Sequence, residues 1–314
     1  MKIQAGRLFE SLPFYTYPLI HALLQTDYRI YFVGGVPRDI ILNRSPYDVD
    51  FAVKRNIHAI EKLIEHTYNV EKKIKTKFLT TNYILKNGYS INIAHLRKET
   101  YPAPASLPVV QPAYTVKEDA KRRDFTVNAI YIDIYNLRFI DPLNGISDLK
   151  NSVLKITYRG SFRDDPTRIF RAIRYRTRLN LTYEEDTLKE LREGVGYIKL
   201  LTKQRIINEL KRIAEEKTRV KAIEELAALS VLNIRINKET LKTLKQLDNI
   251  IPYHKTSWIF LFYPVLKESL LDWPITRKER KITEILSTSR HSRTSRLNGL
   301  EIHYPYIEKV LEII

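Results

Sequence analysis

The chain has 314 residues, 53 Lys+Arg against 36 Asp+Glu, a formal net charge of +17 and no cysteine. The length allows two or three compact units, and 44% hydrophobic residues suffice to bury cores, which excludes wholesale disorder. The missing cysteines exclude disulfides, thiolate-bound zinc, iron–sulfur clusters and a thiol nucleophile, while the charge favours a polyanionic partner.

In chain order, Tyr31 to Val33 is a short apolar strand running into Gly34-Gly35, and Val36 to Asn43 is a helix. Asp48 to Val53 is a second strand and Ile57 to Glu65 an amphipathic helix. Phe78 to Leu85 and Ser90 to Leu96 flank Lys86-Asn87-Gly88, a strong hairpin signal. Pro102 to Pro112 holds four prolines and is expected to be a loop. Ile130 to Ile134 is another strand. From about Asp165 onward the pattern is helical, over 165–178, 184–193, 203–215, 218–228, 239–248, 256–270, 277–287 and 304–313. The expected fold class is an α+β head followed by an all-α remainder.

The charge is uneven. Residues 1–150 carry a net +6 and residues 151–314 a net +11. Seven arginines lie between Arg159 and Arg178, and Arg168, Arg171, Arg174 and Arg178 follow helical spacing into one basic stripe. A second cluster runs from Arg277 to Arg296. The seven histidines show no metal-ligand spacing. The longest apolar run, Trp258 to Leu266, is far below the ~20 residues that span a bilayer. With no signal-peptide core at the N-terminus, a cytoplasmic protein without a membrane partner is expected.

The chemistry concentrates near the first glycines. Gly34-Gly35 lets the backbone approach a ligand closely, and the helix behind it favours phosphate. Asp48 and Asp50 are two apart on a strand, so their carboxylates share a side. Like charges so close call for a cation between them, and oxygen ligands beside phosphates suit Mg²⁺. The assembly reads as a two-metal phosphoryl-transfer site.

Val33 to Asp39 followed by Arg44 to Asp50 resembles the nucleotidyltransferase signature of class II tRNA CCA-adding enzymes and bacterial poly(A) polymerases. The resemblance continues in order over about residues 29–215. It takes in Arg97 with Glu99 to Tyr101, Glu118-Asp119 with Arg122 to Ala129, and Asp141 to Gly145 with Asp148-Leu149. Further on it includes Asp164-Asp165 with Arg168, Arg171-Ala172 and Arg174-Tyr175, then Lys203 to Arg205 with Glu209. Asn92 departs from the pattern, standing where relatives usually carry an acidic residue; Pro37, Asn144 and Gln204 depart at positions of less consequence.

The resemblance implies a nucleotidyltransferase head over 1–150, a helical neck over 151–220, a body over 221–290 and a short tail over 291–314. It implies that Asp48 and Asp50 hold the catalytic metals and that Gly34, Gly35, Arg38 and Asp39 surround the triphosphate. Arg123, Asp124 and Asn128 would contact the ribose. Asp165 and Arg168 would read the base, with Arg171 and Arg174 beside the nucleotide or RNA, and the proline-rich segment would move to reshape the pocket. Donor logic agrees with the base reading: a carboxylate accepts and a guanidinium donates, which matches adenine and cytosine and opposes guanine and uracil. The implied substrates are ATP and/or CTP, and the partner is the 3′ acceptor end of tRNA. Three functions stay open: complete or partial CCA addition to tRNA, poly(A) synthesis, and RNA binding without catalysis.

Overall fold

The computed structural model describes residues 3–46, 49–288 and 300–314. Contacts divide the chain into two units, Met1–Ser161 with Thr182–Thr187, and Phe162–Leu181 with Leu188–Ile314. An α+β unit therefore comes first and an all-helical one second, which is the expected fold class.

In the first unit, α1 (Ala5–Ser11) and α2 (Tyr17–Leu24) precede β1 (Ile30–Val33), α3 (Gly35–Ile41), β2 (Asp50–Val53) and α4 (Ile57–Thr67). Then come β3 (Val70–Thr76), β4 (Thr80–Leu85), β5 (Ser90–His95), β6 (Arg97–Thr100), β7 (Val109–Pro112) and α5 (Val116–Lys121). β8 (Tyr131–Asp133), β9 (Arg138–Ile140), α6 (Gly145–Lys150) and β10 (Val153–Leu154) complete the run. Seven strands form one sheet in the order β3-β4-β5-β2-β1-β8-β9, with β2 and β5 parallel and the other neighbours antiparallel.

The period of two in β1 sorts its side chains. Ile30 and Phe32 enter the large core with residues of α1, α2 and α4, while Tyr31 and Val33 join a smaller cluster. Phe32 lies opposite Phe51 with ring centroids 5.1 Å apart. Burying such a side chain contributes about 1.5–3 kcal/mol. Asp50 therefore falls on the face of Tyr31 and Val33, away from the large core.

The Asn-Gly hairpin forms between β4 and β5. The proline-rich segment is not all loop. Val109–Pro112 pairs antiparallel with Arg97–Thr100, and Pro112 is tolerated because the two-stranded sheet leaves every strand an edge. α1, α2, β3 and β9 had no clear periodic signal in the sequence; six of the seven β3 residues are exposed, so no alternation marks it.

α7 (Ser161–Asp164) leads to α8 (Thr167–Leu179) of the second unit; β11 (Thr182–Tyr183) pairs in parallel with β10 in the first. α9 (Glu185–Gly194), α10 (Lys203–Ala214), α11 (Arg219–Ala228), α12 (Lys238–Asp248), α13 (Trp258–Leu266), α14 (Arg277–Ser287) and α15 (Ile307–Ile313) follow. The apolar run Trp258 to Tyr263 is buried throughout, so it is core. No helix among the described residues is long and apolar enough to cross a membrane. Arg219, wholly buried, donates to Asp248 Oδ1 and to the carbonyls of Ala214, Asp248, Ile251 and Pro252, tying the ends of α10 and α12 together. The basic cluster from Arg277 onward lies outside the described residues beyond residue 288 and before residue 300.

Candidate active site

The turn after β1 is built by Gly34, whose φ of +66° is one that L side chains rarely adopt. It is also a place of close approach, since a Cβ there would lie 3.3 Å from Asp50 Oδ2. The β1–β2 register explains the proximity: Val33 pairs with Asp50, so the glycine turn begins beside the carboxylate. On the other side, β5 runs parallel to β2 with Asn92 in register with Asp50, and Asn92 Nδ2 donates to Asp50 Oδ1 at 2.9 Å. Burial pushes the Asp50 carboxyl above its ordinary value, while the Asn92 amide and the charges of Arg123 and Arg38 act against that rise. Asp48 lies outside the described residues.

Arg38, buried on α3, clasps its neighbour: Nε and Nη2 donate to the two oxygens of Asp39 at 2.9 and 3.2 Å. Its Nη1 donates to Asn128 Oδ1 at 2.7 Å, and Asn128 Nδ2 donates to Asp124 Oδ1 at 3.1 Å. A relay thus runs from the α3 turn to the segment after α5. Asn128 sits in a single 3-10 turn, Thr126–Asn128, that is held from behind. Thr126 donates to Asp148 at 2.6 Å, and a Cβ on Gly145 would come within 2.0 Å of the Thr126 carbonyl oxygen. Asp141 takes the Gly145 and Ile146 N–H groups at 2.8 and 2.9 Å. The Asp141 to Gly145 motif therefore acts as a buttress for Asn128.

Arg123 is anchored by Asp119, whose side chain is fully buried. Asp119 Oδ2 accepts from Arg123 Nε and Nη2 at 3.2 and 3.1 Å and from the Tyr131 hydroxyl at 2.6 Å. Its Oδ1 accepts from Arg122 Nε at 2.8 Å and from the Arg97 N–H at 3.0 Å. Burial opposes the charge of Asp119, yet Arg122, Arg123, Tyr131 and the Arg97 N–H hold its carboxyl far below the ordinary range. Arg122 and Arg97 also meet Glu99 at 3.2 and 2.9 Å, and Tyr101 donates to it at 3.0 Å. Three Arg123 N–H groups are thereby occupied, counting the one that donates to the Asn128 carbonyl, and two of its five make no hydrogen bond among the described residues.

Gly34, Gly35, Arg38, Asp39, Asp50, Arg123, Asp124 and Asn128 are thus gathered in the first unit. Asp165, Arg168, Arg171 and Arg174 belong to the second. There Asp165 Oδ1 accepts from Thr167 Oγ1 at 2.6 Å and from Arg205 Nη2 at 2.8 Å, while Arg168 Nε stands 3.9 Å from Oδ2. The four-arginine stripe is not a solvated face. Arg168 and Arg174 are buried, Arg174 and Arg178 approach Glu216 at 3.6 and 3.3 Å, and Arg171, Arg174 and Arg178 surround the Tyr175 ring.

Asp119, Tyr131 and Arg205 carry positions that local sequence reasoning did not assign. Asp119 stands within a stretch of the resemblance that implies no role for it, and only the Arg122-Arg123 pair three and four residues on hints at an internal partner.

Residues 30–155 match the poly(A) polymerase head domain family. Over 238 residues the chain is 37% identical to the A-adding tRNA nucleotidyltransferase of Aquifex aeolicus, a match covering 72% of this chain and 28% of the relative. It is 28% identical over 306 residues to the A-adding tRNA nucleotidyltransferase of Geobacter sulfurreducens, covering 91% of this chain and 33% of the relative. The chain spans about a third of the length of these curated relatives. A solved CCA-adding enzyme, apo form II, superposes with a TM-score of 0.76 at 26% identity, covering 99% of this chain and 79% of that one. The Thermotoga maritima CCA-adding enzyme complexed with tRNA gives 0.74 at 25% identity, covering 100% and 81%.

Proposed function

The chain belongs to the class II tRNA nucleotidyltransferase family, and from that premise we propose that it is an RNA 3′-end nucleotidyltransferase. It adds C, A or both from CTP and ATP to the acceptor end of tRNA without a template. The RNA 3′-hydroxyl attacks the α-phosphate in line, a new phosphodiester forms, and pyrophosphate leaves. The observation that carries this reading is the assembly in the first unit: a glycine turn against Asp50, and a relay from Arg38 through Asn128 to Asp124.

Each group then has a task. The Gly34 turn admits the triphosphate chain, and Gly35, Arg38 and Asp39 frame it. Asp124, Asn128 and the two remaining Arg123 N–H groups offer acceptors and donors to ribose hydroxyls. In the second unit Asp165 accepts from the amino group of adenine or cytosine while Arg168 donates to the ring nitrogen, and Arg171 and Arg174 place positive charge on the same helix. Asp165 Oδ2 supports this role, because its fellow oxygen already serves Thr167 and Arg205. Positioning of the two substrates supplies much of the acceleration in this chemistry.

Mg²⁺ is the cofactor of this reading, held by Asp48 and Asp50. The donor set fits a hard cation: Asp48 and Asp50 offer carboxylate oxygens, and Asp50 Oδ2 stands beside the Gly34 turn with its other oxygen held by Asn92. Bound there, the ion would supply a lower pKa for the attacking hydroxyl and charge to offset the leaving group. A cytoplasmic setting goes with the tRNA substrate, and the functional division proposed is head to residue 150, neck to 220, body to 290 and short tail beyond.

The test uses purified protein, Mg²⁺, labelled ATP or CTP, and tRNAs ending before CCA, at C and at CC. Incorporation that stops at CCA is expected. A long A tail would move the reading to poly(A) synthesis, and no incorporation on any tRNA would reject it.

A further inference from the structure

Asn92 stands at the centre of the site and does two unusual things together. Its Nδ2 donates to Asp50 Oδ1 at 2.9 Å, while its own Oδ1 is buried and has no hydrogen-bond partner among the described residues. A buried amide oxygen without a donor costs free energy. Turning the amide over would offer that oxygen to solvent-poor surroundings no better, and would set it against the carboxylate of Asp50. The orientation is therefore dictated by Asp50.

Register makes the contact firm. β2 and β5 are parallel neighbours, and Asp50 and Asn92 are Cα partners, so both side chains rise from the same face at the same level. The two oxygens of Asp50 are then divided. Oδ1 is held by Asn92, and Oδ2 faces the Gly34 turn. An acidic side chain at position 92 would face Asp50 as a like charge and would need a cation or a proton between them. Asn92 instead meets Asp50 with an uncharged N–H donor.

We infer that Asn92 is a positioning residue: it fixes the Asp50 carboxylate through its amide N–H, and its neutrality leaves a weak cation site that the nucleotide's phosphate oxygens complete. This rests on the phosphoryl-transfer reading above for its purpose, but the geometry of the pair is independent of it. Hydrogen-bond partners of ligating carboxylates change metal affinity by about 10–100-fold when altered.

The probe is Mn²⁺ alone, titrated into the full chain without nucleotide and followed by electron paramagnetic resonance, for wild type, Asn92→Asp and Asn92→Ala. Asn92→Asp is expected to bind Mn²⁺ at least about tenfold more tightly than wild type, and to melt lower than wild type without metal while recovering when Mn²⁺ is added. Asn92→Ala is expected to bind about tenfold more weakly and to keep its fold. In the transfer assay, Asn92→Ala should lower kcat about tenfold with KM for the nucleotide little changed, because the loss is in orientation. Mn²⁺ affinity in Asn92→Asp equal to or weaker than wild type would overturn the inference, as would an Asn92→Ala protein with wild-type Mn²⁺ affinity. If wild type itself transfers no nucleotide, the proposed function fails, and the Mn²⁺ titrations still decide the role of Asn92.

Discussion

Arg123 in the first unit, 13% exposed, and Arg168 in the second, buried, each stand near an aspartate, and the two units hold them differently. Asp119 is entirely buried and grips Arg123 at 3.1 and 3.2 Å while also binding Tyr131, Arg122 and the Arg97 N–H. Asp165 is 21% exposed, lies 3.9 Å from Arg168, and is steadied through one oxygen by Thr167 and Arg205. In the first unit the charges answer one another, so the shape of the site is stored in the fold. In the second, Asp165 Oδ2 meets Arg168 only at 3.9 Å, and in the proposed function that oxygen takes the amino group of the base. Damage to the two acids should therefore appear in different measurements.

The largest effect is expected at Asp119. Asp119→Ala leaves Arg122 and Arg123 without their buried acid and should cost about 3–5 kcal/mol, read as a shift in the urea midpoint. Asp165→Ala should change stability by only about 1 kcal/mol. It should instead lower the preference for ATP and CTP over GTP and UTP by roughly tenfold to a hundredfold, the worth of a hydrogen bond to a charged group. Equal unfolding by both substitutions would break the comparison.

Asp50→Ala sharpens it from another side. Loss of the carboxylate beside the glycine turn should reduce transfer on the order of a thousandfold while the protein stays folded, since several kcal/mol of charge stabilisation are removed. A smaller effect is expected at Glu61. Burial works to raise its pKa, but hydrogen bonds from Lys75, Thr81 and His58 and the charge of Lys73 bring it to about 2 from an ordinary 4.5. Its folded-state pKa is depressed, so its contribution is fully present above pH 4.5 and fades as pH falls toward 2. Acid unfolding of Glu61→Gln, compared with wild type, should lose steepness in that window. The smallest effect is expected at Arg176, which meets Glu225 at 2.7 Å with 40% of its side chain exposed; Arg176→Ala should cost no more than about 1 kcal/mol in thermal melts.

The same contrast bears on what could be read from the sequence. The helices of the second unit were legible because apolar spacing repeats over ten or more residues, as in Lys203–Ala214. The glycine turn was legible because its chemistry is local, and of the strand expected from Asp48 to Val53 the part from Asp50 onward is present. The hold on Asp50 was not, because β2 and β5 are 42 residues apart at Asn92 and meet only through a parallel crossing. The Asp119 anchor was equally hidden, for its partners Arg97 and Tyr131 come from two different strands. The proline-rich segment misled in the opposite direction, since edge pairing accepts the proline that a central strand would reject. Asp48 and the stretch 289–299 lie outside the described residues, so the second carboxylate and part of the C-terminal basic cluster rest on the sequence alone.

In the proposed function the first unit performs transfer while Asp165 and Arg168 of the second choose the base. A four-nucleotide competition on two tRNAs, one lacking its CCA end and one ending at CC, tests both halves together. Wild type should incorporate from CTP, ATP or both and leave GTP and UTP unused, with Asp165→Ala still active but less selective. Comparable incorporation of all four nucleotides by wild type would contradict the claim.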